Sequence, residues 1–248
     1  MIGREMRGSC RPSVMIMAVS LKWMLLAALA VACGACGGGR TESKAPEPPP
    51  AASLAAPVEP KIETDDRPVI AAFGDSISAG FGLDPGKSFP DDLQRMLDAK
   101  GYRYRVANLG VSGDTTTDGL ERLPAVLAVK PAIVILEFGG NDGLRGQPVA
   151  GAKANMAQMI QALQKAGAEV VLAGMTLPRN YGPEYIHNFE QMYVELASEY
   201  HLTRIPFLLD QVGGITSLMQ PDGLHPTARG AEIVAGTVMQ YLTPLLKQ

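Results

Sequence analysis

The chain has 248 residues, of which 46% are hydrophobic and 19% charged, and its formal net charge is −3. This hydrophobic fraction is too high for a disordered chain, and the small negative charge does not favour a nucleic-acid-binding surface. Three cysteines are too few for a disulfide-stapled miniprotein or a cysteine-based zinc cluster. At about 150 residues per domain, the length suggests one or two domains.

The first 32 residues have the layout of an export signal. Basic residues up to Lys22 precede an apolar run from Trp23 to Ala32, and small residues follow. The apolar run is about half of the ~20 residues that a membrane-spanning helix needs, so we prefer a signal peptide to a transmembrane anchor. The long basic segment also raises Met15 or Met17 as alternative starting residues.

The end of this signal indicates a lipid anchor. Ala30-Val31-Ala32-Cys33 resembles the lipobox of bacterial lipoproteins, in which the cysteine is acylated and becomes the mature N-terminus. Cys36 is the second candidate. On this interpretation residues 1–32 are cleaved before Cys33, and the acylated cysteine holds an exported lipoprotein in the bilayer, facing the periplasm. The alternative is an ordinary signal that releases a soluble periplasmic protein.

The composition changes twice more along the chain. Residues 33–66 are rich in proline and lack a periodic apolar pattern, which predicts a flexible tether. Residues 67–248 contain no cysteine, which excludes a cysteine nucleophile, a cysteine-based metal site and an internal disulfide there. This thiol-free region is long enough to bury a core, so the sequence predicts one folded domain rather than two.

Short apolar runs alternate with amphipathic segments in the thiol-free region. The predicted strands span 69–73, 104–109, 132–138, 168–175 and 203–207. The predicted helices span 89–100, 115–129, 150–166, 184–200 and 227–246. This alternation predicts a three-layer α/β/α fold with a parallel sheet of about five strands. Ligands of such sheets bind beyond the carboxyl ends of the strands, so the loops there are the candidate site.

Four polar motifs occupy these loops. Gly74-Asp75-Ser76 follows the first strand, Ser112-Gly113-Asp114 the second and Gly140-Asn141-Asp142 the third, while Asp222-Gly223-Leu224-His225 precedes the last helix. Each motif alone is ordinary turn chemistry. Together they supply a hydroxyl nucleophile, an imidazole base and a carboxylate. The carboxylate lies three residues before the base, where it can accept a hydrogen bond from the ring Nδ1–H and fix the tautomer.

In combination, the motifs resemble the SGNH (GDSL) hydrolase family, whose four sequence blocks supply Ser, Gly, Asn and His. Here the blocks match Ser76, Gly113, Asn141 and His225, in that order. The longer runs around them are similar to the bacterial secreted thioesterase, lysophospholipase and arylesterase subgroup. The resemblance implies a flavodoxin-like SGNH hydrolase fold and a triad of Ser76, His225 and Asp222. It also implies an oxyanion hole made by the backbone N–H groups of Ser76 and Gly113 and the Asn141 side chain.

The remaining features narrow the chemistry. We interpret Asp75 as a structural carboxylate that binds loop amides near Ser76, and glycine at 113 as a position where no Cβ blocks approach of the backbone. The reaction needs no cofactor and no metal, and the sequence shows no cluster of metal ligands. No Gly-x-Gly-x-x-Gly follows the first strand, which argues against dinucleotide binding. Gly-x-Ser-x-Gly is absent around Ser76, which argues against the α/β-hydrolase fold.

The expected substrate is a small acyl ester, cleaved through an acyl-enzyme, with thioesters and lysophospholipids implied by the resemblance. Four apolar loop residues either line an acyl groove or simply pack the loops: Leu144, Leu177, Pro178 and Leu224. The alternatives are a carbohydrate O-deacetylase of the same family and a non-catalytic envelope-binding lipoprotein. The only tryptophan is Trp23, outside the predicted domain, which favours acyl chains over sugars. No nucleic-acid or protein partner is indicated.

Overall fold

The computed structural model describes residues 65–247. The predicted signal peptide, Cys33, Cys36 and nearly all of the predicted tether lie outside the described residues, so they remain predictions. Within residues 65–247, no helix combines the length and the apolar character that crossing a membrane requires.

A parallel sheet organises the described residues. Its strands are β1 (Val69–Gly74), β2 (Arg105–Asn108), β3 (Ile133–Glu137), β4 (Glu169–Ala173) and β5 (Thr203–Ile205). All neighbours pair in parallel, in the order β2-β1-β3-β4-β5. This is the strand order of flavodoxin-like folds, so the predicted five-stranded parallel sheet is confirmed.

The helices in the described part of the chain are α1 (Ser76–Ala79), α2 (Phe89–Ala99), α3 (Thr116–Ala128), α4 (Gly140–Leu144), α5 (Val149–Lys165), α6 (Pro183–Glu199) and α7 (Ala228–Leu242). The five predicted helices are present, most with ends shifted by one residue. The last helix ends earlier than predicted and continues as a 3-10 turn, because Pro244 has no N–H for the helical ladder. The sequence did not predict α1 and α4, which are too short to show a periodic pattern.

Apolar side chains cover both faces of the sheet, which gives the three layers. Along β1 the side chains alternate, as the period of two in a strand requires. Ile70 and Ala72 pack in a cluster with residues of α2 and α7. Ala71 and Phe73 pack in a second cluster with residues of α3, α5 and α6. The predicted α/β/α layering is therefore confirmed.

The sheet order determines where the loop motifs meet. β1 lies between β2 and β3, so the loops after these three strands leave the same edge of the sheet side by side. Ligand sites in such sheets form where successive connections leave the sheet in opposite directions. The loops that carry Ser76, Gly113 and Asn141 occupy this place.

Candidate active site

The chain turns sharply after β1 and presents Ser76 as the first residue of α1. Asp75 caps this single turn, since its Oδ1 accepts a hydrogen bond of 3.1 Å from the backbone N–H of Ile77. Glycine at 74 is required by close packing, because a Cβ there would lie 2.3 Å from the Glu137 carboxyl group. β1 is buried along its whole length, so Ser76 directly follows a fully packed strand.

A chain of hydrogen bonds links Ser76, His225 and Asp222. The Ser76 Oγ lies 2.8 Å from Nε2 of His225, and Nδ1 of the same ring lies 2.6 Å from Oδ2 of Asp222. An Nδ1–H that donates to the carboxylate leaves Nε2 to accept the serine O–H, which is the tautomer that a general base needs. The structure thus brings the three residues expected to form the triad into one array.

Asp222 is fixed by its own loop. Its Oδ1 accepts hydrogen bonds from the backbone N–H groups of Leu224, at 2.9 Å, and His225, at 3.0 Å. Burial opposes ionisation, but the hydrogen bonds from His225 and Leu224 outweigh it and hold the pKa of Asp222 at about 2. The carboxylate is therefore charged at neutral pH and can stabilise an imidazolium on His225.

Gln220 holds the loop that carries His225. Its backbone N–H donates to the His225 carbonyl at 2.7 Å, and its side-chain amide donates to the carbonyls of Phe81, at 2.7 Å, and Pro226, at 2.9 Å. Phe81 follows α1, so Gln220 ties the base loop to the nucleophile loop. The Phe81 ring also packs on the His225 imidazole, with 4.6 Å between the ring centroids. No motif in the sequence marks Phe81 or Gln220 as part of the site.

Phe81→Ala is expected to lower kcat about 2- to 10-fold with little change in KM, because an aromatic contact of this kind contributes about 0.5–1.5 kcal/mol and here restrains the base. Steady-state kinetics with a p-nitrophenyl ester measures both constants. Phe81 is 48% exposed, so the Tm should change little; Val194→Ala, at a residue 39% exposed on α6, is the matched control. An unchanged kcat in Phe81→Ala would contradict the restraint.

Two backbone donors are free to bind an oxyanion. Among the described residues, the N–H groups of Ser76 and Gly113 donate no hydrogen bond. The Gly113 carbonyl accepts from the Arg145 guanidinium at 2.8 Å, which helps to fix its loop. Gly113 has a φ of +89°, which favours glycine. A Cβ at position 113 would meet no described atom within 4 Å. Glycine therefore has two separate reasons to be there: its backbone angle, and the access for substrate that the sequence predicts.

The Asn141 amide is engaged within the protein. Its Nδ2 donates to Oδ2 of Asp75 at 3.1 Å and to the carbonyl of Asp114 at 2.9 Å. A carboxamide nitrogen carries two hydrogens, so a substrate oxyanion would share one of these N–H groups rather than find a free donor. The bond to Asp75 also joins the third loop motif to the first, so one carboxylate supports both.

An apolar cleft of about 610 Å³ opens beside Ser76 and His225. The four residues considered for an acyl groove all line it: Leu144, Leu177, Pro178 and Leu224. The sequence did not single out the rest of its apolar wall: Ile77, Met175, Phe207, Leu209 and Met219. Gly113 and Asp222 are not among the lining residues. A cleft of this kind suits a ligand with an apolar chain and one polar group at the serine.

The other two histidines lie apart from this array. His187, on α6, lines a neighbouring cavity of about 380 Å³ that shares Met175, Thr176 and Phe207 with the cleft. His201, which follows α6, is exposed. Within residues 65–247, no group of three or more His, Cys, Asp or Glu side chains is arranged to hold a metal ion. Of the three histidines in the chain, His225 alone is hydrogen-bonded to Ser76.

The chain is similar to known esterases in its sequence. Esterase TesA of Pseudomonas aeruginosa is 47% identical over 174 residues, which make up 70% of this chain and 87% of the relative. Thioesterase 1/protease 1/lysophospholipase L1 of Escherichia coli strain K12 is 36% identical over 174 residues, or 70% of this chain and 82% of the relative.

The similarity extends to structure and to a family pattern. A crystal structure of TesA matches with a TM-score of 0.70 and 45% identity, over 72% of this chain and 99% of that one. The pattern of the GDSL-like Lipase/Acylhydrolase family matches residues 72–233, a segment that contains every residue of the site from Asp75 to His225. The resemblance stated from the loop motifs is thereby confirmed, and the chain belongs to the GDSL-like (SGNH) lipase/acylhydrolase family.

Proposed function

We propose that this protein is a serine esterase that hydrolyses esters of apolar acyl chains through Ser76, His225 and Asp222. One observation carries the proposal: the hydrogen-bonded array of these side chains stands at the edge of an apolar cleft. The names of the relatives support the same reaction class, and one of them extends it to thioesters and lysophospholipids. We include both as further substrates.

The first half of the reaction acylates the enzyme. Nε2 of His225 takes the Ser76 proton while Oγ bonds to the acyl carbon and the carbonyl electron pair moves to oxygen. The N–H groups of Ser76 and Gly113, with the shared N–H of Asn141, bind that oxyanion. When the carbonyl re-forms, the bond to the leaving alcohol breaks and the alcohol oxygen takes the proton from Nε2. Asp222 stabilises the imidazolium between the two transfers.

The second half returns the enzyme to its starting state. A water molecule gives a proton to Nε2 of His225 as its oxygen bonds to the acyl carbon, and the same donors bind the second oxyanion. The bond to Ser76 Oγ then breaks and Oγ regains a proton from Nε2. The carboxylic acid leaves the cleft, and the reaction uses no cofactor.

Labelling and a substrate panel test this proposal together. A p-nitrophenyl phosphonate should modify the protein once, and peptide mass spectrometry should place the adduct on Ser76. The panel comprises p-nitrophenyl esters from acetyl to decanoyl, an acyl thioester, a lysophospholipid and an acetylated sugar. We expect the highest kcat/KM on an ester with a chain longer than acetyl, since apolar area buried in the cleft contributes about 25 cal/mol per Å².

The other outcomes separate the alternatives. Preference for the acetylated sugar over every acyl ester would favour a carbohydrate O-deacetylase. Absence of turnover on the whole panel, together with no adduct on Ser76, would favour a non-catalytic envelope protein. Either result would overturn the proposed function.

We also propose where the enzyme acts. Residues 1–32 would be removed as a lipoprotein-type signal, residues 33–66 would serve as the tether, and residues 67–248 would form the catalytic domain. The basic and apolar segments before the Ala-Val-Ala-Cys sequence support export and acylation of Cys33. The enzyme would then face the periplasm from a membrane, with the soluble periplasmic form as the alternative.

Cys33→Ser is expected to move the exported protein from the membrane fraction to the soluble fraction, because two acyl chains are needed for stable attachment and the variant would carry none. Fractionation of a bacterial host, with intact-mass measurement of the purified protein, gives the answer. Cys36→Ser is the matched control and should stay in the membrane fraction. Release by Cys36→Ser instead would assign the anchor to Cys36, and soluble wild-type protein would contradict the anchor altogether.

A further inference from the structure

Glu137, the last residue of β3, is a fully buried acid with no assigned role in the reaction. Its Oε2 accepts hydrogen bonds from the backbone N–H of Asp75 at 3.0 Å, the backbone N–H of Ser78 at 3.3 Å and the Ser78 hydroxyl at 2.8 Å. These donors flank Ser76 on both sides. One carboxyl oxygen therefore holds the turn that presents the nucleophile.

The carboxyl group of Glu137 is closely packed against β1. Glu137 pairs with Gly74 across the β1–β3 ladder, and a Cβ on Gly74 would lie 2.3 Å from Oε2. The chain beyond Glu137 leads directly to α4, which carries Asn141. Glu137 thus stands at the junction between the nucleophile loop and the loop of the oxyanion amide.

The second oxygen of Glu137 has a different environment. Oε1 is buried, and no described residue donates a hydrogen bond to it. The neighbouring acid is Asp75, also buried, which accepts from Ile77 N–H and from the Asn141 amide. Two adjoining buried carboxyl groups do not both ionise without a large cost. The Glu137 and Asp75 side chains are close enough to share a hydrogen bond, so a proton on Oε1 would give this atom a partner.

Other groups around the pair agree with this placement of the proton. Burial and the neighbouring Asp75 charge raise the pKa of Glu137 well above its ordinary value of 4.5. Burial raises the pKa of Asp75 as well, whereas the Ile77 N–H, the Glu137 side chain and His225 favour its ionised form. The Arg122 guanidinium from α3 binds the Gly74 carbonyl but is paired with Asp114. Tyr193, from α6, donates its O–H to the Phe138 carbonyl, so it does not compete for the proton.

We propose that Glu137 is a positioning residue that works as a neutral carboxylic acid, accepting from the nucleophile loop at Oε2 and donating from Oε1 to Asp75. Because Asp75 in turn binds Asn141, this arrangement fixes the nucleophile and the oxyanion amide relative to each other. The inference rests on the proposed esterase function for its kinetic consequences, whereas the protonation state of Glu137 can be measured without any activity.

Glu137→Gln and Glu137→Met are the informative pair. Glutamine can accept at its oxygen and donate from its amide, as the neutral acid does, so kcat should stay within about threefold of wild type. Methionine leaves three loop donors without an acceptor, so kcat should fall about 10- to 100-fold while KM changes little. Glu169→Gln, at an exposed residue of β4, is the control. If Glu137→Met does not fold, Ser78→Ala, which removes one of the three donors, should give a smaller loss of kcat.

Unfolding as a function of pH tests the neutral form directly. Between pH 4.5 and the raised pKa of the folded state, an unfolded Glu137 ionises while the folded one stays protonated, so wild-type stability should decline over this range relative to Glu137→Gln. We expect similar Tm values at pH 4.5 and a higher Tm for Glu137→Gln at pH 8. A Glu137→Gln variant that is less stable at pH 8 and loses activity as Glu137→Met does would overturn the proposal. An inactive wild type would overturn only the esterase assignment.

Discussion

Ser76→Ala is expected to lower kcat on p-nitrophenyl esters by roughly 10⁶-fold, the scale of loss when the nucleophile of a serine hydrolase is removed. The variant keeps the turn, because the Asp75 bond to Ile77 and the Glu137 bonds do not involve the Ser76 Oγ. It loses only the hydrogen bonds of Oγ itself, to His225 and, at 3.4 Å, to Asp75. Steady-state and single-turnover assays measure the loss, and the phosphonate adduct should disappear with it.

The control must separate loss of the nucleophile from loss of the fold. Ser217→Ala removes a hydroxyl from an exposed residue and should leave kcat unchanged. Both variants should melt close to the wild-type Tm. A folded Ser76→Ala protein that still hydrolyses the ester at the wild-type rate would contradict an acyl-enzyme on this residue.

Asp222→Asn should lower kcat about 10⁴-fold, the loss seen when the carboxylate of such a triad becomes an amide. An asparagine amide facing Nδ1 would favour the tautomer with the proton on Nε2, and that nitrogen could then no longer accept the Ser76 proton. The measurement is kcat at neutral pH, with Asp84→Asn, at an exposed carboxylate, as the control. An activity within tenfold of wild type would show that another group orients His225.

The low pKa of Asp222 also predicts how activity depends on pH. With its pKa at about 2, Asp222 stays ionised throughout the range in which the enzyme would be assayed. Protonation of Asp222 should therefore add no step to the acid limb of kcat/KM above about pH 4. A step in that range that Asp222→Asn abolishes would contradict an Asp222 that remains charged.

The sequence predicted the parts of this site that depend on residue type and strand order. Apolar runs marked all five strands, and a parallel sheet carries its ligand loops at one edge. The sequence alone therefore predicts that Ser76, Gly113 and Asn141 lie close together. Asp222 and His225 could be linked because a spacing of three residues allows their hydrogen bond within one turn.

Other parts of the site depend on contacts that no local pattern records. Gln220 reaches the Phe81 carbonyl across 139 positions of sequence, and Glu137 reaches the Asp75 amide across 62. Helices as short as α1 and α4 have no propensity signal of their own. The Asp75 cap supports α1, whereas α4 has no side-chain cap and depends on packing. The double engagement of the Asn141 amide likewise follows from where Asp75 and Asp114 meet in space.

The loop that carries His225 also forms part of the cleft wall, through Met219, Gly223 and Leu224. The choice of acyl chain and the alignment of the base are therefore linked, and remodelling this loop to change chain-length preference would disturb proton transfer as well. Leu144 and Leu177 line the same cleft from segments that hold no proton-transferring group. Substitutions at these two positions should therefore change the substrate preference with the least effect on proton transfer.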